Sequence, residues 1–317
     1  MSSLPSCHLW VAVWLFLGAL VLPSPLERRA IDTATFDNLA FFEQFAAASY
    51  CQGNTGTAAG GKLITCPIPD KAGTSSCPLV EADKVTAVYE FQNSLITDVT
   101  GYIALDTARS LIVLAFRGSK SLRNWIADVT FGAGTQEAIC PGCEVWEGFA
   151  ESWNEAKTGV LAALKTAVAA NPTFKVVVTG HSLGGAIAVI AAAEIRNEIA
   201  NADLYTYGQP RIGKAKVSDY ITGQGKGANF RVTHKDDPVP RLPPLALGYK
   251  HISPEYYIDV GDEEGPFTAD RFTVFTGDAN TQGNEGHASN LFDWSSHGWY
   301  FNEVGACYSH GGFEFKT

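Results

Sequence analysis

The sequence predicts an α/β fold, and three observations carry that expectation. From Thr86 onward, strand-like segments alternate with helical ones, the order that builds a mostly parallel sheet with helices on both faces. Leu111–Phe116 is apolar at every position, as a strand covered on both sides must be. Residues 174–179, with three consecutive valines, run directly into Gly180-His181-Ser182-Leu183-Gly184 and then into a helical pattern.

The elements follow in order. Asp32 or Thr33 can cap a helix with Phe36, Leu39, Phe42 and Phe45 at helical spacing. Residues 53–61 and 67–78 read as loops, and Thr86–Phe91, 101–105 and Leu111–Phe116 as strands. Glu147–Ala170 is a long alanine-rich helix that stops at Asn171-Pro172. A strand at 174–179, a helix at 183–200 and strands at 203–207 and 229–233 come next. The last third adds strands at 256–260 and 271–275 and a helix near Gly298. Residues 278–289 start like a calcium loop, but Ser289 occupies the twelfth position, where a bidentate Glu is needed, so a turn-rich loop is expected.

With 46% hydrophobic and 18% charged residues, the 317-residue chain can bury a sizeable core. It shows neither repeats nor blocks of like charge, and a single domain is the simpler reading. The formal net charge of -10 argues against a nucleic-acid partner. Residues 9–22 form an apolar run ending at Pro23, too short to span a bilayer comfortably, and residues 1–22 read as a signal peptide. Arg28-Arg29 reads as a processing site closing a propeptide at 23–29, which leaves a domain at 30–307 and a polar tail at 308–317. The expected location is extracellular, with no stable membrane anchor. Cys51, Cys66, Cys77, Cys140, Cys143 and Cys307 lie past that point, an even set that suggests disulfides of open connectivity. Cys140-Pro-Gly-Cys143 lacks the second pair or nearby histidines that zinc would want. No metal and no cofactor is implied.

The chemistry centres on Ser182. A sharp turn between strand and helix lifts a serine oxygen clear of the sheet, and the helix N-terminus directs amide hydrogens at developing negative charge. A serine hydroxyl needs a base, and an elbow of this kind is followed in the chain by Asp or Glu and then His. His181, His234, His251, His287, His297 and His310 are available. His297 leads, because the Gly-Trp-Tyr-Phe run after it can anchor it. The acid is expected in the loop after the strand at 229–233, where Asp236 and Asp237 are not separable by pattern.

These residues together resemble the secreted fungal lipases of class 3. The likeness spans about residues 32–307. It rests on Ile112-Val-Leu-Ala-Phe-Arg117-Gly118-Ser119, Asn124-Trp125-Ile126, Val178-Thr-Gly-His-Ser182-Leu183-Gly-Gly185, Tyr205-Thr-Tyr-Gly-Gln-Pro-Arg211, Arg231-Val-Thr-His-Lys-Asp-Asp237-Pro-Val-Pro-Arg-Leu-Pro-Pro244 and His297-Gly-Trp-Tyr-Phe301. The resemblance implies an α/β-hydrolase domain with a helical lid. It implies a triad of Ser182, Asp237 and His297, an oxyanion hole at Ser119 and Leu183, and bridges Cys51–Cys307, Cys66–Cys77 and Cys140–Cys143. Three features depart from the family pattern: a long Cys66–Cys77 segment, Pro238 after the acid, and the tail after Cys307.

The implied activity is triacylglycerol hydrolysis at an oil–water interface, activated when substrate forms droplets. Residues 121–131 would be the lid, with Trp125, Ile126, Val129 and Phe131 as its apolar side. Trp146, Phe149, Val239, Leu242 and Leu247 are candidate walls of the acyl pocket. A phospholipase A1 or a feruloyl esterase on the same scaffold, and a non-catalytic lipid-binding protein, are the alternatives; the lid tryptophan argues against the feruloyl esterase.

Overall fold

The computed structural model describes residues 30–55, 61–92, 97–119, 132–261, 265–287 and 294–309. Helix α1 (Thr33–Ala48) opens this part of the chain, and Asp32 caps it by accepting from the Thr35 amide at 2.6 Å. Strand β1 (Lys62–Leu63), helix α2 (Pro78–Ala82) and strands β2 (Thr86–Phe91), β3 (Gly101–Asp106) and β4 (Leu111–Phe116) follow. Next come β5 (Ala133–Thr135), β6 (Glu144–Trp146), helix α3 (Glu147–Ala170), β7 (Lys175–His181) and helix α4 (Leu183–Glu198). β8 (Ala202–Tyr207), β9 (Gly213–Lys214), α5 (Ala215–Gly223) and β10 (Asn229–His234) continue the chain. β11 (Tyr249–Lys250), β12 (Glu255–Ile258), β13 (Phe272–Phe275), α6 (Ser295–Gly298) and α7 (Ala306–Ser309) end it.

Among the described residues the main sheet has nine strands in the order β1-β2-β3-β4-β7-β8-β10-β12-β13. The run from β4 to β12 is parallel throughout, and antiparallel strands flank it on both sides. β4 explains its own composition. Ile112, Leu114 and Phe116 join the core under α3 and α4, with Phe149, Trp153, Leu164 and Ile187. Leu111, Val113 and Ala115 join the opposite core, with Leu39, Phe42 and Phe45 of α1. Alternate side chains of one strand thus serve two cores, so no position is left for a polar residue.

The long elements lie within a few residues of their expected spans, and α3 matches the expected helix in full. The helix expected over 183–200 ends at Glu198, because Ile199 leaves the helical region at φ -121°. A second sheet, β11-β9-β6-β5, has no counterpart in the sequence reading. Its strands are two or three residues long, too short for an alternating pattern to register.

The three disulfides join Cys51 to Cys307, Cys66 to Cys77 and Cys140 to Cys143. The first spans a sequence separation of 256 and ties the chain just after α1 to the segment after α6. The expected signal peptide and propeptide, the lid at 121–131 and residues 310–317 lie outside the described residues. None of the described helices is long and apolar enough to cross a membrane.

Candidate active site

The turn between β7 and α4 is as tight as its glycines demand. A Cβ on Gly180 would lie 2.4 Å from the Gly184 carbonyl oxygen, and a Cβ on Gly184 would lie 2.4 Å from the Phe116 carbonyl oxygen. Only glycine at both positions lets strand, helix and the end of β4 approach this closely. Ser182 sits between them with φ 58° and ψ -130°, a conformation costly for a side-chain-bearing residue and kept only where the surrounding structure over-determines it. Its amide donates to the Tyr207 carbonyl at 2.9 Å, which pins the elbow to the end of β8.

The loop after β10 brings up a carboxylate. Asp237 is fully buried, and its Oδ2 and Oδ1 accept from His297 Nδ1 at 2.8 and 3.0 Å. Tyr300 Oη donates to Oδ2 at 2.5 Å and the Val239 amide donates to Oδ1 at 2.8 Å. Burial alone would raise this carboxyl's pKa. The paired imidazole and these hydrogen bonds outweigh burial and hold it below the ordinary carboxylate value. Since Nδ1 must carry the proton it donates, neutral His297 presents an unprotonated Nε2. Neither His297 Nε2 nor Ser182 Oγ makes a hydrogen bond within the described residues.

Two further histidines hold the segment that carries His297. His181 Nε2 donates to the His297 carbonyl at 2.8 Å, and its Nδ1 accepts from Tyr50 Oη at 2.8 Å. Burial, and then the neighbouring His297, push the His181 imidazole down to about 3, so it stays neutral. His234 Nδ1 donates to the Ser296 and Trp299 carbonyls at 3.1 and 3.0 Å. His181 and His234 are therefore spacers between the sheet and the imidazole-bearing segment. His251 is occupied elsewhere, donating from Nε2 to the Pro240 carbonyl at 2.6 Å, and His287 stacks on Tyr257.

The class 3 lipase family model matches residues 113–247, which include the elbow and the acid. Proteins named secreted mono- and diacylglycerol lipase A, from Penicillium cyclopium and Penicillium camembertii, are 43% identical over 90% of this chain and 90% of theirs. The chain belongs to the class 3 lipase family. A Fusarium solani protein named secreted mono- and diacylglycerol lipase 1 is likewise 43% identical, over 89% of this chain and 81% of its own. A crystal structure of a mono- and diacylglycerol lipase from Aspergillus oryzae superposes with a TM-score of 0.79 at 39% identity, covering 87% of this chain and all of that one. As a lipase, the protein hydrolyses carboxylic esters of lipids.

The lipase places the remaining expected residues unevenly. Leu183 begins α4, and the chain leaving β4 packs on the elbow: a Cβ on Gly118 would lie 3.0 Å from Ser182 Cβ. Ser119, next in sequence, is half-buried. Trp146 and Phe149 pack edge to face in the core with centroids 4.3 Å apart. Val239 is fully buried and contributes its amide to Asp237, while Leu242 is half-buried. Leu247, another expected wall of the acyl pocket, is 46% exposed in the 3₁₀ turn Leu245–Leu247. The lid residues Trp125, Ile126 and Phe131 lie outside the described residues.

Sequence reasoning missed Tyr300, His234, Tyr50 and Gly208 as supports of the candidate site. For Tyr300 a signal existed, since it lies three residues after His297 in the aromatic run. The others meet groups far away in the chain and leave no local pattern.

Proposed function

We propose that this secreted lipase cleaves acylglycerols at an oil–water interface with Ser182 as nucleophile, His297 as base and Asp237 as the orienting acid. The observation that carries the reading is the buried His297–Asp237 pair, which holds the imidazole through Nδ1 and leaves Nε2 as its basic nitrogen. His297 takes the Ser182 proton as Oγ attacks the ester carbonyl carbon. The tetrahedral oxyanion is held by the backbone N–H groups of Ser119 and Leu183, each such donor being worth about 2.7–4 kcal/mol in the transition state. The imidazolium returns the proton to the departing glycerol oxygen, leaving an acyl-enzyme ester on Ser182. Water, deprotonated by the same imidazole, then releases the fatty acid.

A fluorophosphonate ester should label Ser182 in the wild type, and Ser182→Ala should lose both labelling and turnover while keeping its fold. Labelling at another residue overturns the assignment. Relatives matched over nine-tenths of the chain carry mono- and diacylglycerol in their names, which favours partial acylglycerols as substrates beside triacylglycerols. Rates on monoolein, diolein, triolein, phosphatidylcholine and methyl ferulate test this. Faster turnover of the phospholipid or the ferulate would replace the acylglycerol reading. Activity should jump as a short-chain triglyceride passes its solubility limit, and a smooth curve through that point would remove the interfacial part.

A further inference from the structure

Residues 242–249, Leu-Pro-Pro-Leu-Ala-Leu-Gly-Tyr, contain no charged side chain although most of the turn faces water. Pro244, Ala246 and Leu247 are exposed around the short 3₁₀ turn Leu245–Leu247. Among the described residues, only Leu63 and Leu79 are comparably exposed large apolar side chains, and both lie near the Cys66–Cys77 bridge. The turn stands apart from them because it is fastened to the catalytic rim. Leu242 N donates to Val239 O at 3.0 Å, three residues from the Val239 amide that binds Asp237. The Leu242 carbonyl accepts from Arg211 N at 2.7 Å, in the loop that leaves β8 and carries Gly208 beside the triad.

The backbone of the tip is largely closed on itself. The Leu247 amide donates to the Pro244 carbonyl at 3.0 Å and the Gly248 amide to the Leu245 carbonyl at 2.8 Å. Lys214 Nζ donates to the Leu247 carbonyl, and the two prolines have no N–H to satisfy. Apolar side chains over a backbone with few free polar groups are what can enter hydrocarbon at low cost, because an unbonded N–H is the expensive thing to take there.

We propose that the turn at 244–247 is an interfacial anchor, which dips Ala246 and Leu247 into the surface of an uncharged lipid phase and holds the catalytic rim against it. The inference rests on the lipase reading for the nature of the surface and adds which part of the protein meets it. The test measures adsorption of the full chain to droplets of a dialkylglycerol ether, which has no cleavable ester. Rates on p-nitrophenyl butyrate below its solubility limit are measured in parallel. Ala246→Asp should weaken adsorption about tenfold, equivalent to ~1.4 kcal/mol, and Ala246→Leu should strengthen it, with both rates within twofold of wild type. Equal adsorption of wild type, Ala246→Asp and Ala246→Leu overturns the anchor. If Ala246→Asp fails to fold, the direction of the Ala246→Leu change decides alone. Failure of the wild type to hydrolyse the soluble ester would instead count against the triad and leave the adsorption comparison readable.

Discussion

Gly208→Ala should disable the enzyme with a single methyl group. Gly208 follows β8 with φ +60°, and its amide donates to the Val232 carbonyl at 3.1 Å, so its backbone cannot swing away freely. A Cβ there would lie 2.8 Å from Asp237 Oδ2, 2.8 Å from Tyr300 Oη and 3.0 Å from His297 Cε1. Ordinary contact begins at 3.4 Å, so all three groups must retreat together. They retreat by roughly half an ångström, and because a misplacement near 1 Å costs about 10²-fold, kcat should fall ~10- to 100-fold. Left-handed backbone at a residue with a Cβ adds a stability cost of about 1–2 kcal/mol. Initial rates on a soluble ester and a calorimetric melting curve measure the two effects separately. Gly223→Ala serves as control, because a Cβ there meets nothing within 4 Å. A folded Gly208→Ala protein with kcat within twofold of wild type would refute the claim that this glycine leaves space for the triad.

Three other substitutions probe the site and its supports. Tyr300→Phe removes one of the hydrogen bonds that lower the Asp237 carboxyl, and hydrogen bonds to charged groups contribute about 1.5–3 kcal/mol. Stability from a depressed carboxyl is lost as pH falls through its folded value, so urea titrations should place that loss at higher pH in Tyr300→Phe, with kcat reduced about tenfold, which corresponds to the lower end of that range. Glu43, buried on α1, is pushed well above the usual carboxyl range by burial, against the lowering effect of Asn302. The unfolded chain releases this proton near pH ~4.3, so wild-type stability should decline as pH rises above that, whereas Glu43→Gln, keeping an acceptor for Asn302, should hold its melting temperature. Cys307→Ser opens the bridge beside the His297-bearing segment and should cost about 2–5 kcal/mol in denaturant unfolding.

What the sequence made legible follows the length of each signal. β4, α3 and the β7–elbow–α4 unit carry six or more residues of consistent pattern, and each formed where expected. The strands of the small sheet carry two or three, and each was invisible. At the site, Ser182 was legible because its turn has a local steric requirement. Asp236 and Asp237 were not separable, because the difference between them is burial: Asp237 sits with no exposed surface against Tyr300 and His297 while its neighbour does not. Among the six histidines the sequence favoured His297 only through the aromatic run that follows it. His181 and His234 bond carbonyls more than 60 positions away, a relation that no window along the chain contains.

The acid loop also shows why a core this apolar keeps buried charge. Asn284 Nδ2 donates to the carbonyls of His234 and Asp237, both at 2.8 Å, and so clamps the two ends of the turn that presents the carboxylate. Asn284 is held in turn: its amide donates to Glu255 Oε1 at 3.2 Å, and its carbonyl accepts from Arg241 Nε at 3.2 Å. Glu255 accepts from Thr233 Oγ1 at 2.6 Å and from Asn280 Nδ2 at 2.9 Å, and pairs with Arg231 at 3.4 Å. Arg211, equally buried, pairs with Glu285 in the same 3₁₀ turn as Asn284. Apolar replacement of such ion pairs is commonly neutral or stabilising, so stability alone gives little reason to retain them. Apolar side chains could fill the same volume, but they could not donate to two specified carbonyls. Direction, rather than strength, is what the hydrogen bonds supply, and a carboxylate that must meet one nitrogen at 2.8 Å needs direction.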